Sequence, residues 1–221
     1  MNNKLLKKKK YLVKNIPKLI KQFDYRKGPD LYFYKKIISK IRDYSLKSLL
    51  KRDDFIELLY ATLTSWDMNA RGAKMKYFDE FKENVLKNKN YFLKLSNYKL
   101  DRINESDFLE IKEIIGKLYD NLDVMQTKGK LVSNSKIMHY LLPDLVMPMD
   151  RKNTLNFFFG NTNESREKFL EIIECSYYVA KEIDLNKFLN KYNEWNLSIP
   201  KIIDNAIICR QSLKYRKKPK N

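Results

Sequence analysis

Apolar residues recur along this chain every three to four positions and almost nowhere at every second one. Phe108, Ile111, Ile114, Ile115 and Leu118 form one such stripe, and Phe55, Leu59, Leu63 and Trp66 form another. That period lines one face of a helix, whereas a strand needs alternation. Turn signals are sparse, with five glycines and six prolines in 221 residues. The pattern predicts an all-α fold with helices near 4–23, 30–50, 53–66, 70–87, 105–121, 133–142, 151–159, 163–183, 185–193 and 199–214. Lys27-Gly28-Pro29-Asp30 marks a break, with Asp30 as the cap of the second helix, and Asp53 or Asp54 can cap the third. No repeat and no low-complexity linker divides the chain, so a single unit of about ten helices over residues 1–221 is expected.

Composition narrows the class. Apolar residues make up 43% of the chain, too many for a disordered one, and no apolar run approaches the roughly 20 residues that cross a bilayer. The basic N-terminus lacks an apolar leader region or a small-residue cleavage site, so a soluble, cytoplasmic monomer without membrane contact is expected. Cys175 and Cys209 both sit in apolar helical patterns and read as buried thiols. Together with a single histidine, His139, they leave no spacing for a zinc site or an iron–sulfur cluster. No metal and no cofactor is expected, and His139 reads as a packed histidine more readily than as a catalytic one.

Two segments carry candidate chemistry. In DDFIELLYATLTSWDMNARGAK an apolar helix stops at a polar stretch bearing Trp66 and Arg71, which is a natural wall for a cleft. An ordinary corner, with Trp66 as a core aromatic, is the plainer reading. In TKGKLVSNSKIMHYLLPDLVMPMDRKNTLNFFFG a basic turn precedes an apolar helix, a proline-framed connector and then Asp150. Gly129 would let backbone N–H groups approach an anion closely. Asp150 opens the next helix, where the dipole favours a carboxylate, and Gly160 stops it. Asp150 is either a cap or a carboxylate held to face a substrate.

The net charge of +18 suggests a polyanionic partner. Residues 1–18 hold seven lysines and residues 210–221 hold six basic residues, with no acid in either stretch. The excess is therefore mostly terminal, as expected for basic arms that touch phosphates. Nucleic acid is the partner this favours, against a bland bias of the whole chain toward Lys, Asn and Ile.

Taken together, the two segments resemble the helix-hairpin-helix DNA glycosylase superfamily, the endonuclease III-like proteins, over residues 53–160. FIELLYATLTSW is similar to the early buried helix of that family. TKGK, VSNSKIMHYLL, PDLVMPM and Asp150-RKNTLNFFFG follow its order of hairpin, apolar helix, connector and Asp-opened helix. The family's L-P-G-hydrophobic-G hairpin and its cluster-binding cysteines are not matched. The resemblance implies a two-lobed helical fold acting on double-stranded, lesion-bearing DNA, with a damaged or mispaired base flipped into a cleft between the lobes. It implies that Asp150 stabilises positive charge on the sugar or orients the attacking water or amine. It further implies a lysine that could form a Schiff base, adding strand cleavage. Lys128 and Lys130 lie in the hairpin segment where the family keeps that lysine, and Lys136 lies in the next helix among many lysines that read as solvated. Lys130 is preferred, because Gly129 before it permits a tight turn. Trp66 would be a wedge or stacking wall, with Arg71, Lys128, Gly129, Ser133 and Arg151 as further DNA contacts. The alternative is a non-catalytic helical nucleic-acid-binding protein, or an interaction scaffold.

Overall fold

A computed structural model of the chain describes residues 2–25, 27–70 and 72–216. Arg71, one of the expected DNA contacts, lies outside them. The fold is all-α: 67% of the structure is helix, and the described residues contain no strand. The first helix, α1 (Asn3–Gln22), is capped by the Asn2 side chain, which accepts from Leu5 N at 3.0 Å. Its buried Leu5, Leu12, Ile16, Leu19 and Ile20 follow the helical period, so the lysine-rich N-terminus is a packed helix. Each such side chain, fully buried, contributes about 1.5–3 kcal/mol.

Next come α2 (Pro29–Asp43), the short α3 (Leu46–Leu49), α4 (Asp53–Ser65), α5 (Phe78–Lys87), α6 (Lys89–Leu95) and α7 (Glu105–Asn121). The chain continues through α8 (Leu131–Leu141), a π-helical turn (Arg151–Leu155) that runs into α9 (Asn156–Phe159), then α10 (Arg166–Glu182) and α11 (Ile199–Arg216). Packing divides these into two groups. Helix α1 packs on α9, α10 and α11, and the π turn packs on α11; α2, α4 and α8 pack on one another, with α5 on α4. Helix α7 touches both α8 and α10 and bridges the groups.

Several local expectations need correction. Asp30 does not cap α2: Gly28 holds the cap position, Pro29 opens the helix, and Asp30 is buried in the first turn. Pro29 explains this, since a proline has no N–H to leave unpaired at the first helical position. Likewise Arg52 precedes α4, and Asp53 and Asp54 sit within its first turn, where their charges favour the dipole without a capping bond. Residues 72–77 are not helical; Met75 pairs with Met125 in an isolated bridge, and Gly72 adopts φ 85°. Only Asn186–Phe188 of the expected 185–193 helix forms, as a single 3₁₀ turn, because Asn190 and Tyr192 take positive φ.

Candidate active site

A cavity of about 550 Å³ opens among α2, α4, α8, the π turn and α11. Its walls include Trp66, Asp67 and Met68 after α4, Gly129, Ser133 and Lys136 around α8, and Asp150, Arg151 and Asn153 at the π turn. Trp195, Lys201 and Asp204 complete it.

Local geometry explains why these groups converge. Helix α4 ends at Trp66, and Asp67 turns the chain at φ 61°, a left-handed conformation that costs a non-glycine residue about 1–2 kcal/mol. The Trp66 indole N–H donates to Asp30 O at 3.2 Å, and its ring packs on Tyr140, Tyr34 and Trp195 at 5.0, 5.5 and 5.8 Å. Trp66 is thus a fixed wall. On the other side, Asn134 ties α8 to the end of α7 by donating to Tyr119 O and Leu122 O at 2.9 and 3.0 Å. Ser135 Oγ accepts from Met149 N at 3.1 Å, which fixes the proline-framed connector just before Asp150.

Asp150 holds the N-cap of the π turn, its Oδ1 accepting from Asn153 N and its Oδ2 accepting from Asn153 Nδ2 at 2.9 Å. The same carboxylate lines the cavity. The two readings of this residue are therefore compatible in one geometry. Lys136 reaches the cavity from α8. Its Nζ donates to Trp66 O at 2.7 Å, lies 3.4 Å from Met68 Sδ and 5.7 Å from the centre of the Trp66 ring. Burial lowers its amine from 10.5 to about 8, opposed most strongly by the charge of Asp150 and then by Asp67 and Asp204. Among the described residues its nitrogen has no third hydrogen-bond partner.

The other expected site residues divide. Trp66, Gly129, Ser133 and Arg151 line the cavity with Asp150 and Lys136, whereas Lys128 and Lys130 do not. Lys130 Nζ donates instead to Asp120 O at the end of α7, 3.1 Å away. A Cβ at Gly129 would come within 2.7 Å of Arg151 Nη2 and 3.2 Å of Glu164 Oε2, so these two side-chain tips would have to shift to admit one. Arg151 pairs with Glu164 at 2.5 Å, and Glu164 also accepts from Leu131 N at 3.1 Å, binding the start of α8 to the π turn. Ser133 Oγ donates to Lys130 O at 3.2 Å.

His139 is buried behind the cavity. Its Nδ1–H donates to Val146 O at 2.8 Å, which leaves Nε2 to accept from Tyr34 OH at 3.1 Å. Burial brings it down to about 3, so the ring is neutral. Cys175 and Cys209 are buried thiols, and burial pushes Cys175 up to about 12.

Sequence reasoning passed over Trp195, Lys201 and Asp204. Lys201 and Asp204 are each 4% exposed and pair at 2.6 Å. Lys201 Nζ also lies 5.3 Å from the Trp66 ring centre and 5.4 Å from that of Trp195. Burial raises Asp204 from 3.8 to about 6, against the lowering effect of Lys201. The signal was present in IPKIIDNAII, where two opposite charges three residues apart interrupt an otherwise apolar helix.

Comparison of the chain with models of known families, with curated proteins and with solved structures finds no significant match.

Proposed function

We propose that this cavity removes a base from DNA, with Lys136 as the attacking amine and Asp150 as the carboxylate beside it. One observation carries the reading: a lysine brought to about 8 by burial and an Asp at a helix N-cap line the same cavity. A lysine near 8 has a sizeable neutral fraction at physiological pH, which an attacking amine requires. The net charge of +18 suits a nucleic-acid partner.

The chemistry balances with these groups and one proton from solvent. The neutral amine attacks C1′ of a flipped nucleotide, and the C1′–base bond breaks with its electron pair going to the departing base, which takes up a proton from solvent. The new C1′–ammonium gives a proton to Asp150, the sugar ring opens with O4′ taking that proton from Asp150, and a protonated Schiff base remains. Before bond breaking is complete, the Asp150 carboxylate also offsets positive charge developing on the sugar.

Borohydride trapping tests the reading on duplexes carrying single lesions or an abasic site, because reduction turns the Schiff base into a permanent crosslink. Trapping is expected for the native chain and should vanish in Lys136→Gln. A second reading, a non-catalytic nucleic-acid-binding protein, is favoured by the bonds Lys136 already makes to Trp66 O and Met68. Binding without trapping or base release on the whole panel would select it.

A further inference from the structure

Lys201 and Asp204 form a charged pair that the proposed chemistry does not use. A buried ion pair is a weak source of stability, and packed apolar residues of similar volume often do as well or better. The pair faces the cavity, and among the described residues the only hydrogen bond to the Asp204 carboxylate is the one Lys201 donates to Oδ2. Oδ1 therefore takes none, and Oδ2 keeps a second lone pair. In order, Lys201 and the two carboxylate oxygens offer donor, acceptor, acceptor. That is the order of groups along the pairing edge of cytosine.

We infer that Lys201 and Asp204 read the flipped base as cytosine would, selecting a guanine-type base with a 6-carbonyl, an N1–H and a 2-amino group. The inference rests on the cavity being a base-binding site. The carbonyl accepts from Lys201, and N1–H and the amino group donate to the carboxylate. Other bases match less well in either orientation. Adenine offers one donor beside one acceptor and leaves a carboxylate oxygen unpaired, and thymine or uracil sets a carbonyl against it. Cytosine meets like with like in one orientation and, turned over, still sets its N3 lone pair against a carboxylate oxygen. Unpaired buried polar groups are what make such a site reject a wrong ligand strongly.

Both tryptophans of the chain, Trp66 and Trp195, line this cavity, so intrinsic fluorescence reports its occupancy. Titration of the full chain with the four deoxynucleosides, checked by calorimetry, should give saturable binding of deoxyguanosine at least tenfold tighter than the other three. Asp204→Asn should erase that preference. Equal affinities, preference for another nucleoside, or no binding of deoxyguanosine would overturn the inference, and the native comparison stands even if the variant misfolds. Selective deoxyguanosine binding without Schiff-base trapping on any duplex would keep this inference and remove the catalytic reading. Trapping without base preference would do the reverse.

Discussion

The basic turn at 127–130 and the middle of α8 each offer a lysine within one short stretch of chain, and they put it to opposite use. In the turn, Lys130 swings to the end of α7 and binds Asp120 O, a placement that suits the negative end of a helix. One and a half turns into α8, Lys136 lies at the cavity, half-buried, with an amine lowered to about 8. A flexible glycine turn suggests reach, but burial tunes an amine, and only the helix supplies burial.

Exchanging the two lysines' fates gives the largest expected effect. Lys136→Gln should abolish Schiff-base trapping, while Lys130→Gln should leave it within about twofold. Loss of trapping in Lys130→Gln, with the fold intact by circular dichroism, would shift the reactive amine back to the turn.

Asp150→Asn comes next. Asn caps a helix about as well as Asp, so Tm should move little, whereas base excision should fall by about 10²–10⁴-fold, the range for losing a positioned acid–base group. A parallel loss of Tm and activity would return Asp150 to capping alone.

The pH profile is a smaller and sharper test. Since the folded amine titrates near 8, the reactive neutral form should grow about tenfold per pH unit up to 8 and level off above it. Asp204 adds a second limb. Its ionised form predominates above about 6, so the preference for deoxyguanosine should hold there and fade below as the carboxylate protonates under the influence of Lys201, Asp150 and Lys136. The stability sign is opposite: a raised carboxylate stabilises the fold below 3.8, and that contribution is lost as pH rises to about 6. A flat profile from pH 5 to 9 would contradict both limbs.

The smallest effect concerns salt. Lys8 is lowered by burial and then by Arg210, Lys4 and Lys214, a convergence of like charges where α1 meets α11. Arg210 and Lys8 lie 5.9 and 4.7 Å from the Phe157 ring centre, close behind the π turn. Lys8→Gln with Lys214→Gln should flatten the slope of log affinity against log salt by about two units, near one for each phosphate no longer neutralised. An unchanged slope would place the phosphate-binding cations on another face. Deleting residues 1–10 would be a poorer probe, because it would strip Leu5 from the core.

Legibility in the sequence followed the strength of each local signal. The stripe from Phe108 to Leu118 placed α7 at 105–121, where it is found. The run 70–77 looked helical only if the left-handed Gly72 and the Met75–Met125 pairing were ignored, and the pairing partner lies 50 residues away. Trp66 and Asp150 could be singled out because each ends or starts a helix. Lys201 and Asp204 could not be joined to them by spacing, since α11 meets the π turn only through tertiary packing. Lys136 looked like one lysine among many, because nothing local tells that its tip ends beneath a tryptophan carbonyl.

The most direct measurement maps the trapped adduct. An abasic duplex is reduced in the presence of the native chain, the protein is digested, and the modified peptide is located by mass spectrometry. The expected result is a single crosslink on Lys136. A crosslink on Lys128 or Lys130, or base release from a lesion duplex with no crosslink at all, would contradict the assignment of Lys136 as the nucleophile.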